Sequence, residues 1–214
     1  MDTIISNTII QYFHRLYNET DQRMLSIKPV CKRGCPWCCY QSVEILNWEE
    51  PLISQFIDEK INENLKVKIK NNLESWFEFF DRFTKGKAKL TMHDAFGMLN
   101  KQQAKERIPC PFLIEKECSI YQVRPLSCRC HISITNPTEC KNNPLLDSTS
   151  ESSSYRERVI SDIIMNVPTT LKLLTYVAAP FFGLEHSMKP IHYTRLETKC
   201  MNLPPTESKA LKCR

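Results

Sequence analysis

The sequence predicts a mainly α fold, a single helical domain over residues 1–214 whose cysteine-rich segments are irregular loops. Three observations predict it. Apolar residues recur at helical spacing through most of the chain, only four glycines occur (Gly34, Gly86, Gly97 and Gly183), and most of the eleven cysteines fall in two proline-containing stretches. So few glycines disfavour both tight-turn β architectures and glycine-rich phosphate loops. A chain of 214 residues forms a core without covalent staples.

Residues 3–20 set Ile5, Ile9, Phe13 and Leu16 on one face, with His14, Arg15 and Asn18 elsewhere, which predicts an amphipathic helix. Residues 26–40 carry Pro29, Gly34 and Pro36 among cysteines and read as an irregular loop leading into a helix. Asn47 or a neighbour is expected to cap that helix, with Glu49 and Glu50 in its first turn and Pro51 tolerated there. Leu52/Ile53, Phe56/Ile57, Ile61 and Leu65, then Ile69, Leu73, Phe77 and Phe80, continue at helical spacing as two helices or one long bent helix. Residues 92–106 predict a further helix that ends before Pro109.

The run 144–154, with Asp-Ser-Thr-Ser-Glu-Ser-Ser-Ser, has nothing to bury and reads as a mobile loop. After it, Val159, Ile160, Ile163, Ile164 and Val167 predict a helix stopped by Pro168. Leu171, Leu174 and Val177 predict another, stopped by Pro180. The last 25 residues have no readable period, and no internal repeat occurs.

The N-terminus, Met1-Asp2-Thr3-Ile4-Ile5, has neither a basic n-region nor an apolar h-region, so the expected location is cytoplasmic, with thiols kept reduced. The most apolar stretch, residues 171–184, is broken by Lys172 and Pro180 and is shorter than the roughly 20 residues of a span, so no membrane partner is expected. The formal charge of +5 treats every thiol as neutral. Eight thiolates around two zinc ions would bring it to about +1, and four around an iron-sulfur core to about +3. A nucleic-acid partner is therefore not supported.

Eleven cysteines, an odd number with Cys38 and Cys39 adjacent, fit a metal site better than a disulfide framework. The first cluster is Cys31-Lys-Arg-Gly-Cys35-Pro-Trp-Cys38-Cys39, where the gap between Cys35 and Cys38 lets a short loop present two sulfurs to one ion. The second lies about seventy residues on: Cys110-Pro-Phe-Leu, Cys118-Ser-Ile-Tyr, and Arg124-Pro-Leu-Ser-Cys128-Arg-Cys130-His131. A single cysteine among helices is a small hydrophobe, but four in nine residues are not explained that way. Adjacent side chains diverge, so Cys38 and Cys39 suggest either two metals with a bridging thiolate or one cluster with a thiol in reserve. Soft thiolates select zinc, copper(I) or iron-sulfur chemistry. The spacing departs from the ferredoxin run.

The expected metal ligands are Cys31, Cys35, Cys38, Cys39, Cys110, Cys118 and Cys128, with Cys130 and His131 open as further ligands. Cys140, Cys200 and Cys213 are isolated and read as non-ligands. Arg124 and Arg129 flank Cys128 and are expected to damp thiolate charge from behind the ligands. Tyr121 reads as core, and His93-Asp94 as a surface feature of a helix; no catalytic residue is assigned. Joining ligands so far apart in sequence is expected to couple metal binding to folding.

Two blocks, Cys31 with Cys35-Pro-Trp-Cys38-Cys39, and Cys110-Pro-Phe-Leu with Cys118-Ser-Ile-Tyr-Gln-Val-Arg124-Pro-Leu-Ser-Cys128-Arg129, resemble the YkgJ-type cysteine cluster proteins, a zinc- or iron-chelating domain. The resemblance covers residues 31–130 and implies one gathered site with seven transferred positions and an eighth from Cys130 or His131. The same segment is similar to the cysteine-rich part of flagellin lysine N-methylases. That likeness implies, as an alternative, an iron-sulfur-dependent protein lysine N-methyltransferase that uses S-adenosylmethionine on a protein substrate. No glycine-rich strand-to-helix turn occurs, so a Rossmann-type site is not supported. A third reading is a metal carrier or redox module that acts through contact with a protein partner.

Overall fold

The computed structural model describes residues 3–85, 92–186 and 191–193, and it is mainly helical. Helix α1 (Thr3–Ser26) runs six residues beyond its predicted end and buries Phe13, Leu16, Tyr17 and Met24 along one stripe. A 3-10 turn (Trp37–Tyr40) and strand β1 (Glu44–Leu46) follow. Helices α2 (Glu50–Lys60) and α3 (Glu63–Thr84) are separate. Ile61 is extended between them, and the Asn62 side chain accepts from the Leu65 N–H at 2.9 Å, an N-cap that starts a new helix. Helix α3 buries a wide face made by Ile69, Leu73, Trp76, Phe77, Phe79 and Phe83. Helix α4 (Met92–Glu106) has the predicted bounds and contains His93 and Asp94, whose side chains lie outside the described residues.

The second cysteine stretch folds as a two-residue hairpin, β2 (Leu113–Ile114) with β3 (Glu117–Cys118), and then the short helices α5 (Leu126–Arg129) and α6 (Pro137–Asn142). Helix α7 (Ser150–Asn166), strand β4 (Thr169–Leu173), helix α8 (Leu174–Ala178) and strand β5 (Ile191–Tyr193) complete the order. Strands β1, β4 and β5 form an antiparallel sheet with β4 central, and Glu44 pairs with Leu173. Among the described residues no helix is long and apolar enough to cross a membrane.

Three local expectations are corrected. The run 144–154 is a loop only as far as Thr149; from Ser150 it is the first turn of α7, where the Thr149 hydroxyl accepts from the Ser152 N–H at 3.2 Å and Ser152 is fully buried. A serine and threonine run suits a capped helix start as well as a loop. The helix expected around Leu171 begins only at Leu174, because residues 171–173 pair with β1 and residues 169–171 with β5, where they obtain their backbone partners. Asn47 caps no helix. Its side-chain oxygen accepts from the Thr170 N–H at 2.7 Å and its own N–H donates to the Thr170 carbonyl at 2.9 Å, tying β1 to β4.

Glu49, expected in a helical first turn, holds the N-cap position of α2 and is buried. Its carboxylate accepts from the Tyr17 hydroxyl at 2.6 Å, the Leu46 N–H at 2.9 Å and the Leu126 N–H at 2.7 Å. One side chain thereby joins α1, the end of β1 and the start of α5, the element that carries Cys128.

Candidate metal centre

The loop after α1 turns twice before the sheet. Gly34, at φ +84°, takes the left-handed conformation that a residue without Cβ adopts cheaply, and the Cys35 N–H donates to the Lys32 carbonyl at 3.0 Å. The Cys39 N–H donates to the Pro36 carbonyl at 2.9 Å, closing the 3-10 turn that bears Cys38 and Cys39. The two cysteine stretches are clamped by backbone: the Cys110 N–H donates to the Cys39 carbonyl at 2.6 Å. Hairpin pairing sets Cys118 opposite Leu113, and the Ser119 N–H donates to the Phe112 carbonyl at 2.8 Å. Cys31 is seated by the Ser133 N–H, which donates to its sulfur at 3.2 Å.

All seven cysteines singled out from sequence, Cys31, Cys35, Cys38, Cys39, Cys110, Cys118 and Cys128, line one cavity of about 260 Å³. His131 lines it too, and Met24, Phe112 and Ile120 supply apolar wall. Cys130 does not: it is 1 % exposed and sits in the hydrophobic core. Of the two candidates for an eighth position, His131 therefore shares the cavity and Cys130 does not, and a further cysteine lies close by. Cys140, which sequence spacing marks as isolated, lies on α6, and together with Cys31, Cys35, Cys38 and His131 it lines an adjoining cavity of about 30 Å³. The cue in the sequence is Asn136-Pro137, a cap and first-turn pair that starts a helix nine residues or fewer after His131. Cys200 and Cys213 lie outside the described residues.

Cys38 is the electrostatic neighbour common to the other six cysteines of the cavity. Burial pushes the Cys31 and Cys35 thiols up, and like charge from Cys38 and Cys140 adds to it. Burial pushes Cys110 up to about 12, with Cys118 and Cys38 adding, and it pushes Cys128 well up, with Cys110, Cys118 and Cys38 adding. The Cys39 thiol is held well above its ordinary value by its hydrogen bond to Cys38, then by burial, then by Cys38, Cys110 and Cys128. That same hydrogen bond brings Cys38, the exposed member, down to about 7. Thiolates so placed repel one another, and a soft cation among them reverses the sign of that interaction. Among the described residues no three His, Cys, Asp or Glu side chains stand close enough to hold a metal ion. The sulfurs form a wall, and coordination would require them to turn inward.

Burial and the Arg156 charge hold the His131 imidazole below its usual value, and its Nδ1 is 3.1 Å from the Ser148 hydroxyl. The two flanking arginines differ. Arg124 stacks over Tyr121 at 4.1 Å, and its charge favours the Cys38, Cys118 and Cys128 thiolates. Arg129 is 3 % exposed and turns into the core: it donates to Asp21 at 2.5 Å, to the Arg124 carbonyl at 2.9 Å and to the Gln122 carbonyl, with its guanidinium 4.1 Å over Tyr17. Its charge still lowers Cys118, but as the last of the causes. Because lysine lacks the planar fork, Arg129→Lys is expected to cost about 2–3 kcal/mol. Denaturant midpoints check this against the metal content of the folded variant, which should stay unchanged.

Comparisons of the chain with protein-family models, with curated proteins and with solved structures give no match, so the chemistry of this centre is read from its own side chains.

Proposed function

We propose that the chain is a metal-binding cysteine cluster protein in which eight thiolates hold zinc or an iron-sulfur cluster in two groups of four. One group is Cys31, Cys35, Cys38 and Cys140; the other is Cys39, Cys110, Cys118 and Cys128. The observation that carries the reading is the convergence on one cavity of seven cysteines from two stretches remote in sequence. The division rests on the small adjoining cavity, which Cys31, Cys35, Cys38 and Cys140 line and Cys39, Cys110, Cys118 and Cys128 do not; Cys38 and Cys39, hydrogen-bonded to each other, stand where the two groups meet. Seven of the eight are those carried by the YkgJ-type likeness. A thiolate set without hard oxygen donors fits zinc or iron-sulfur chemistry and not magnesium or calcium. Four thiolates close a structural zinc site, whereas a cluster on the same ligands would supply electron transfer.

Protein purified without oxygen, with elemental analysis and a visible spectrum, tests the reading. About two zinc per colourless chain fits two closed tetrathiolate sites, and iron with labile sulfide in brown protein assigns a cluster. Folded protein without zinc or iron overturns it.

A carrier or redox module is the second reading, and one observation favours it. Cys38 is exposed and its thiol lies near neutrality, so it is the sulfur through which a partner's ligand would reach the ion. A methyltransferase using S-adenosylmethionine has less support, since about 260 Å³ is under the roughly 300–1,000 Å³ of pockets for ligands of that size.

A further inference from the structure

A third cavity adjoins the cysteine wall on its other side and differs from it in chemistry. Its volume is about 120 Å³, and Cys38, Cys128 and His131 are shared with the main cavity. The rest of its lining includes Asn100, Ser127 and Arg156. Arg156 projects from α7, is half-buried, and forms no ion pair among the described residues. Its charge reaches His131, whose imidazole it helps burial to hold down. Three other arginines near the cysteines are committed, since Arg124 and Arg129 both face Asp21 and Arg33 pairs with Glu117.

The donors of this cavity are Arg156, Asn100 and Ser127, and Gln41, whose NH2 is given to the Pro144 carbonyl, adds an amide oxygen to the lining. The Asn100 oxygen already accepts from the Ser42 N–H at 2.7 Å, which leaves its NH2 as the group with hydrogens to give. The Ser42 hydroxyl donates away from the cavity, to Gln103 at 2.6 Å. Glu44 also lines the space, so a ligand must be drawn to the Arg156 side of it. At roughly 30 Å³ of liquid volume per water, the space matches about four waters, enough for a carboxylate or a tetrahedral oxyanion and too little for a nucleotide.

We infer that this cavity is a binding site for a small oxyanion or carboxylate, anchored by the Arg156 guanidinium with Asn100 and Ser127 as further donors, against the outer face of Cys38 and Cys128. Guanidinium meets carboxylate and phosphate oxygens through parallel hydrogen bonds, and Arg156, with no ion-pair partner among the described residues, has its fork open to such a ligand. The inference concerns the region of the proposed metal centre but does not need the ion.

Acetate and inorganic phosphate are the probes, titrated by calorimetry into full-length protein against chloride at matched ionic strength, once with zinc loaded and once after chelation under reduction. Saturable binding of one anion per chain is expected, about tenfold weaker in Arg156→Gln and less reduced in Arg156→Lys. Far-UV circular dichroism identifies variants that remain folded. Equal affinity in folded Arg156→Gln, or no saturation of the wild type by either anion in both metal states, overturns the inference and marks Arg156 as counter-charge to the thiolates. Anion binding in folded protein that holds neither zinc nor iron sinks the metal reading alone, and metal without anion binding sinks this one alone.

Discussion

Serine at Cys118 and Cys128 together is expected to remove about half of the bound metal, and serine at Cys35 and Cys140 the other half, if each group closes its own site. Each double variant should also melt about 10 °C or more below the wild type. The magnitude follows from linkage: an ion present at about a thousand times its dissociation constant adds about 4 kcal/mol. For a chain of this size each kcal/mol is worth about 2–4 °C. Cys130→Ser is the contrast. It should leave metal content alone, since Cys130 sits in the core and lines neither of the two cysteine-lined cavities. Elemental analysis paired with calorimetric melting reads both quantities on one sample. Loss of all metal on either pair would point to a single shared cluster, and retention in Cys140→Ser would remove that residue from the ligand set.

Glu49→Ala is expected to destabilise the fold by about 3–5 kcal/mol, more than any surface change. Two backbone N–H groups and the Tyr17 hydroxyl lose their acceptor at once, in a place that water does not reach. The start of α5 is released with them, so Cys128 loses its seating and metal affinity should fall as well. Glu49→Gln keeps the volume but replaces one accepting oxygen by an NH2 that can only donate, set against at least one backbone N–H that also donates, and should cost about 2 kcal/mol. Acidity separates charge from shape. Burial raises the Glu49 carboxyl above its ordinary value, with the Tyr17, Leu126 and Leu46 hydrogen bonds and the Arg129 charge opposing. Between the ordinary and the raised value the folded chain keeps a proton that the unfolded chain has lost. Stability from this group is therefore fully present below that window and falls as pH rises through it. Denaturant midpoints across mildly acidic pH should show a slope in the wild type that Glu49→Gln lacks.

Much of the scaffold was legible because helices advertise a local period. The stripe of Phe13 and Leu16, the run from Leu52 to Phe80 and the bounds of α4 all appear where the spacing of apolar residues sets them. Strand β4 was not legible. Leu171 fits a helical period with Leu174, and only the neighbouring strands β1 and β5 tip residues 169–173 to an extended form. The start of α7 was missed for a related reason: the hydroxyls of residues 148–154 suit a cap as well as a loop, and burial of Ser152 decides between them.

The sequence by itself determined the helical class and the seven cysteines that share a cavity, because both depend on residue type and short spacing. Only the tertiary structure decided that Cys140 and not Cys130 lines a cavity with Cys31, Cys35 and Cys38, that Arg129 faces the core, and that Glu49 carries the joint between α1, β1 and α5. Those three depend on which elements touch. Contact between residues tens of positions apart is set by how whole faces bury their apolar surface, and a local period carries no record of it.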